Sequence, residues 1–227
     1  MRYERRKPFK KEFKNHYIEC RFKSNGNTFN NEYVIKYTGN HVPRKSKIRS
    51  ELLDKDRVWW TNDNEISRDN QKQKLYDAER AALNNHKKKF KNHLEAARFL
   101  AKVISNKWFI DNFMIREVIM LHDHRNHISA RGGGIHGITR IGKIKIPDWA
   151  CSDWVVLHEL AHCCQEHPPA HGRNFCYIFL LLVEKFMSKQ AASDLKEEYN
   201  KRNVKFWIYG TSEPHIQKYI ANGNCPF

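Results

Sequence analysis

The segment Trp154-Val155-Val156-Leu157-His158-Glu159-Leu160-Ala161-His162 constrains this chain more than any other. Three apolar residues run straight into two histidines placed four apart, with a carboxylate beside the first. On a helix, positions i and i+4 share one face at adjacent turns, so both imidazoles project together. The apolar lead-in belongs to a helix buried in a core. Histidine and glutamate placed there are costly unless a metal or another partner satisfies them. The chain must therefore build a closed core around this helix and a polar site along one side of it. The plain alternative is two surface histidines on an ordinary helix, and the apolar context argues against it.

Two imidazoles set in this way can share one tetrahedral Zn²⁺ at about 2.0–2.1 Å. Glu159 can then reach a water bound to the metal without ligating it, act as general base, and pass the proton to a leaving group. Such a metal lowers the pKa of its water towards about 7 and polarises a carbonyl. A catalytic site also needs a third protein ligand and an open position. His171 is the favoured donor, because Pro168-Pro169 end the helix, the chain reverses, and Gly172 permits a tight entry into the next helix. Glu184, on that next helix, and His167, at the helix end, are the competing donors. A metzincin arrangement is excluded, since it would require Gly at Gln165 and His at Pro168. His122, Asp123, His124 and His127 form a further candidate cluster for a metal, although such runs are more often polar loops. Cys163 and Cys164 adjoin a ligand, but a helix turns them off the site face, so they read as core residues.

Around the motif the pattern is that of an α+β domain. Helical spacing recurs over 68–83 (Leu75, Ala78, Ala82, Leu83) and over about 93–107 (Leu94, Ala97, Leu100, Val103, Ile104). Residues 116–122 read as a strand, and two more strand candidates lie around 134–140 and 143–146, after Gly132-Gly133-Gly134 and before Pro147. The motif helix opens with Ser152 or Asp153 as N-cap. A strongly apolar helix follows over 172–187, then an amphipathic one over 191–201, and 204–208 reads as a last strand. This divides the chain into a basic N-terminal extension at 1–66, a domain carrying the site at 67–208, and an irregular tail at 209–227.

Residues 1–50 hold fourteen Lys and Arg against four acids, a surplus of ten out of the chain's net charge of +16. A basic block of this kind attracts polyanions by counterion release, and nucleic acid is the usual partner. Basic residues interleave with Phe13, Tyr17 and Phe22, Ser24-Asn25-Gly26-Asn27 signals a turn, and 32–37 can form a strand. A hairpin suited to phosphates and stacked bases would result. The alternative is that these aromatics merely anchor the arm to the main domain. The start Met1-Arg2-Tyr3-Glu4-Arg5-Arg6-Lys7 has no apolar stretch and does not read as a secretory signal. No apolar run reaches the roughly 18 residues of a membrane span. The expectation is a cytoplasmic protein without a membrane partner, associated with DNA or the nucleoid, or in a host cytoplasm if viral. The six cysteines include no C-x-x-C pair and read as reduced thiols.

His158-Glu159-Leu160-Ala161-His162 followed by His171-Gly172-Arg173-Asn174-Phe175 resembles the SprT/Spartan pattern, H-E-x-x-H and then H-G-x-x-F. More closely, the chain is similar to the small SprT-related metallohydrolases of actinobacteria and phages. The likeness includes Arg68-Asp69 with Leu75-Tyr76-Asp77-Ala78-Glu79, the approach Ile146-Pro147-Asp148-Trp149, and Val155-Val156-Leu157, and it covers roughly residues 67–206. The resemblance implies a zincin-like minimal metallopeptidase domain, with His158, His162 and His171 as zinc ligands, Glu159 as catalytic base and a protein as substrate. Spartan-type members cleave proteins attached to DNA, and their DNA-binding elements restrain that cleavage; the basic block could serve the same end. Two departures stand out: no paired cysteines supply a C-terminal zinc ribbon, and the first 66 residues match nothing in the pattern. Two other classes compete with the peptidase reading. One is a nucleic-acid-binding or viral structural protein that uses zinc for stability, and the other is a metallohydrolase acting on a non-peptide amide.

Overall fold

Strands alternate their side chains between two faces, so a sheet needs an apolar row on each face it buries. The computed structural model describes residues 8–25, 28–39, 69–113, 115–122, 129–132, 140–165 and 170–206. Within them six strands form one sheet: β1 (Phe9–Phe13), β2 (His16–Asn25), β3 (Thr28–Tyr37), β4 (Ile115–His122), β5 (Ser129–Gly132) and β6 (Arg140–Ile146), in the order β1-β2-β3-β4-β6-β5. Neighbours are antiparallel except β4 and β6, which run parallel. Across the sheet, one buried row runs Ile18, Ile35, Val118, Gly142, and the next runs Cys20, Tyr33, Met120, Ile144.

Six helices complete the described residues: α1 (Lys72–Leu83), α2 (His93–Ile104), α3 (Lys107–Phe113), α4 (Asp153–Cys164), α5 (Arg173–Phe186) and α6 (Lys189–Lys201). A single 3₁₀ turn, Asp148–Ala150, links β6 to α4. α2 lies across β2, β3 and β4, while α4 lies against β5 and β6. α5 packs on α4, and α6 on α5 and α1. The architecture is α+β, and no described helix is long and apolar enough to cross a membrane.

Local chemistry sets where the site helix begins. Asp153 Oδ1 accepts from the amides of Lys88 at 2.9 Å and Trp154 at 2.8 Å. The Asp153 amide donates to Lys88 O at 3.1 Å, and the Phe90 amide to Cys151 O at 2.9 Å. The loop before α2 is thus strapped to the first turn of α4. Ser152 occupies the N-cap position but makes no side-chain cap bond, so Asp153 supplies the acceptor instead. Further along, Gly142 brings α4 down onto β6, since a Cβ there would lie 3.0 Å from Cys163 Sγ and 3.1 Å from its Cβ.

Three expectations need correction. Residues 9–37, read as part of an extension at 1–66, supply three strands of the common sheet, so a boundary at 66/67 cuts through one core. Ile18, Cys20, Tyr33 and Ile35 are buried with Val118 and Met120, and half-apolar strands of this kind cannot stand as a solvated arm. The strand expected around 134–140 lies outside the described residues up to 139, and the one expected at 143–146 is present within β6. A strand not expected pairs ahead of the glycine-rich turn, at Ser129–Gly132. The expected last strand is absent at 204–206, where a side chain takes the place of a neighbouring strand. Gln71 Oε1 accepts from the Lys205 amide at 2.8 Å, and its Nε2 donates to Lys205 O at 3.0 Å. Residues 40–68 and 207–227, the tail at 209–227 included, lie outside the described residues.

Candidate metal centre

α4 is buried on nearly every side, with Val155, Val156, Leu157, Leu160 and Ala161 in the core. Its polar residues therefore face a site built from the same core. His158 and His162 project from adjacent turns, and the chain returns after α4 to bring His171 beside them. One ring nitrogen from each of the three lies within 4.8 Å of the others. Ring centroids are 5.0 Å apart for His158 and His162, 4.8 Å for His162 and His171, and 5.6 Å for His158 and His171. Phe175, from the first turn of α5, closes the floor at 4.3 Å from the His162 ring and 4.8 Å from the His158 ring. Glu184 is exposed on α5 and is not part of the cluster, and His167 lies outside the described residues. Of the competing third donors, the structure thus places His171 with the pair.

Two carboxylates orient the rings. Glu79 Oε1 is 3.0 Å from His158 Nδ1, and Asp69 Oδ2 is 2.6 Å from His171 Nδ1. Each Nδ1 donates its proton there, which leaves the Nε2 lone pair for a cation. Gln71 Nε2 adds a bond to the His171 carbonyl at 2.8 Å, so the backbone of the third donor is also held.

Electrostatics prepare the same set. Burial, with His158, His171 and Lys72 nearby, pushes the His162 pKa down to about 2, so this ring is neutral at any working pH. Burial also lowers His171, although Asp69 opposes it. For His158 burial is opposed by the charge and hydrogen bond of Glu79, which prevail and hold the ring above its ordinary value. Burial raises Glu159 to about 7, helped by Glu79 and opposed by His158. Its Oε2 is buried without a hydrogen-bond partner, an unfavourable state that marks the place of a proton, a water or a cation. Tyr76 completes the wall: its hydroxyl lies 3.2 Å from His171 Nε2, and burial lifts its pKa to about 12, so it stays a proton donor. Three nitrogen donors, two of them locked by carboxylates, and one orphaned carboxylate oxygen fit a divalent metal.

The roles of Asp69, Tyr76 and Glu79 escape a reading of the motif alone. Glu79 did leave a signal, because it falls on the apolar stripe of Leu75, Ala78 and Ala82, where a lone carboxylate needs a partner. Asp69 left none in spacing or hydropathy, since it precedes α1 in an ordinary polar stretch, and it stood out only within the Arg68-Asp69 pair of the resemblance. His122 stands with His93 and Asp148, whereas its expected companions Asp123, His124 and His127 lie outside the described residues.

Comparison with protein-family models, with characterised proteins and with solved structures found no match. The functional reading therefore stands on the geometry and chemistry of these side chains.

Proposed function

We propose that the chain is a zinc-dependent metallopeptidase with a zincin-like, SprT-like domain. In this reading His158, His162 and His171 ligate the metal and Glu159 is the general base. The observation that carries it is a buried carboxylate oxygen without a partner, one residue along α4 from a histidine in a three-histidine cluster. Three imidazoles suit zinc, and a bound zinc ion supplies positive charge that polarises a scissile carbonyl and acidifies water. Glu159, with its pKa near 7, can take a proton at neutral pH and return it to a leaving amine. Tyr76 keeps its proton and can donate to an oxygen that gains negative charge. Asp69 and Glu79 hold the tautomers of the two rings they bind, and Phe175 and Phe179 pack against His158 to form the apolar floor. A zinc used only for stability has no need of a base beside it, which favours catalysis over a structural role.

The substrate class follows from charge. Of the fourteen Lys and Arg in residues 1–50, Lys10, Arg21 and Lys36 pair with Glu12, Glu19 and Glu117, and eight lie outside the described residues. The surplus of ten positive charges in that segment supports cleavage of proteins associated with DNA.

The deciding experiment pairs zinc content with cleavage of a denatured protein and of a DNA-bound protein, with and without DNA, in wild type and Glu159→Gln. Stoichiometric zinc in both, with cleavage lost only in the variant, is the expected result. Zinc without cleavage in either would replace the peptidase reading with that of a nucleic-acid-binding protein stabilised by metal. Tyr76→Phe is expected to keep its zinc and to lose roughly 10- to 1,000-fold in kcat. An unchanged kcat would remove Tyr76 from the chemistry.

A further inference from the structure

A second cluster lies where three elements end. His122 closes β4, His93 opens α2, and Asp148 begins the 3₁₀ turn after β6. Both histidines are buried, their ring centroids are 4.3 Å apart, and one ligand atom from each of the three residues lies within 4.8 Å of the others. None of the three belongs to the first site.

The protonation pattern at His93 is the telling feature. Its Nε2 lies 2.7 Å from the carbonyl oxygen of Ile146, which can only accept, so Nε2 carries the proton. In the neutral ring Nδ1 then presents a lone pair, and it faces Asp148 Oδ1 at 3.2 Å. The other carboxylate oxygen, Oδ2, is 3.3 Å from His122 Nε2. A lone pair cannot face a carboxylate at this range unless a positive charge stands between them, either a second proton on the ring or a cation.

Distance favours the cation. In three direct histidine–carboxylate hydrogen bonds among the described residues the contacts are short, at 2.6 Å for His171 and Asp69, 2.7 Å for His86 and Asp194, and 3.0 Å for His158 and Glu79. Both contacts to Asp148 are longer. Two donors each about 2.0–2.1 Å from a tetrahedral ion stand about 3.3 Å apart, close to what is seen on either side of Asp148. The His93–Ile146 bond then plays the part that Glu79 and Asp69 play in the first site, fixing which nitrogen is presented.

We propose that His93 Nδ1, His122 Nε2 and the Asp148 carboxylate form a second site for a divalent first-row transition-metal ion, zinc above all. Asp148 is 76% exposed, so water completes the coordination from the solvent side. The ion ties α2 and β4 to the turn that leads into α4, and so braces the start of the helix that carries His158. This site does not depend on the proposed peptidase activity.

The test is zinc per chain in the full-length protein after zinc loading and dialysis, with circular dichroism as the check on folding. Two equivalents are expected in wild type and in Glu159→Gln. One is expected in Asp148→Ala, whose exposed side chain the fold can lose, and one in His162→Gln. The combined variant should hold none. A single equivalent in wild type that is lost in His162→Gln and kept in Asp148→Ala would overturn the second site. So would complete absence of zinc, which would leave His93 as an imidazolium paired with Asp148. A single equivalent lost in Asp148→Ala and kept in His162→Gln would uphold the second site and sink the first.

Discussion

Glu79 is 1% exposed on an otherwise apolar helix face, and its Oε1 meets the Nδ1 proton of His158. Replacing it by Gln keeps the shape and removes the charge that holds His158 above its ordinary pKa. Metal affinity of Glu79→Gln is expected to fall about 10- to 100-fold in a chelator competition, and an unchanged affinity would mean that Glu79 does not orient the ring. His162 allows a test by pH in the metal-free protein. Its folded pKa of about 2 lies below the ordinary 6.5, so the unfolded chain binds the extra proton between those values. Its contribution to stability is thus intact above pH 6.5 and declines as pH falls towards 2. His162→Gln lacks this penalty. Relative to wild type in chelator, it should gain up to about 2 kcal/mol between pH 6.5 and 4.5, read from urea midpoints. Parallel pH profiles for the two proteins would contradict a neutral His162. At this scale the three clustered histidines were legible, because i and i+4 fix a shared helix face for His158 and His162 and the helix-ending prolines return the chain to bring His171 beside them. Their carboxylate partners were not, because Asp69 and Glu79 are 102 and 79 residues away in sequence from the rings they hold, and only folding joins them.

Elements with a strong 3.6-residue period were readable within a few residues: α1, α2, α5 and α6 all lie where apolar spacing places them. The strands were harder, since short half-buried strands carry weak signals and their partners are chosen by tertiary context. Gly142 illustrates the difficulty. In sequence it looks like a break in the strand from Arg140 to Ile146, yet it continues the buried row behind Val118 and admits Cys163 of the site helix. The added methyl of Gly142→Ala would meet Cys163 at 3.0–3.1 Å, so either α4 or β6 must shift. A loss of about 1–3 kcal/mol is expected from denaturant unfolding, and a shift of α4, which carries His158 and His162, lowers zinc affinity as well. An equally stable variant would show that the helix–sheet spacing has slack.

At the scale of the whole molecule the three N-terminal strands decide what counts as a domain. A fragment covering 67–208 would contain every residue of the proposed active site, and an extension could be removed without harm. The sheet says otherwise, because β3 pairs with β4 and the first buried row continues through Ile35 to Ile18. Removing residues 1–66 deletes Ile18, Cys20, Tyr33 and Ile35 from the core and turns β4 into an open edge beneath α2. Three large apolar side chains at about 1.5–3 kcal/mol each amount to most of the roughly 5–15 kcal/mol that holds a domain of this kind together. The exposed β4 would also offer unpaired backbone for aggregation. The fragment is therefore expected to lack a cooperative unfolding transition and near-ultraviolet circular dichroism, and to bind zinc weakly. The full chain should show both signals and hold its zinc tightly. A soluble 67–208 fragment that unfolds cooperatively and holds stoichiometric zinc would return the N-terminal strands to the status of an accessory arm.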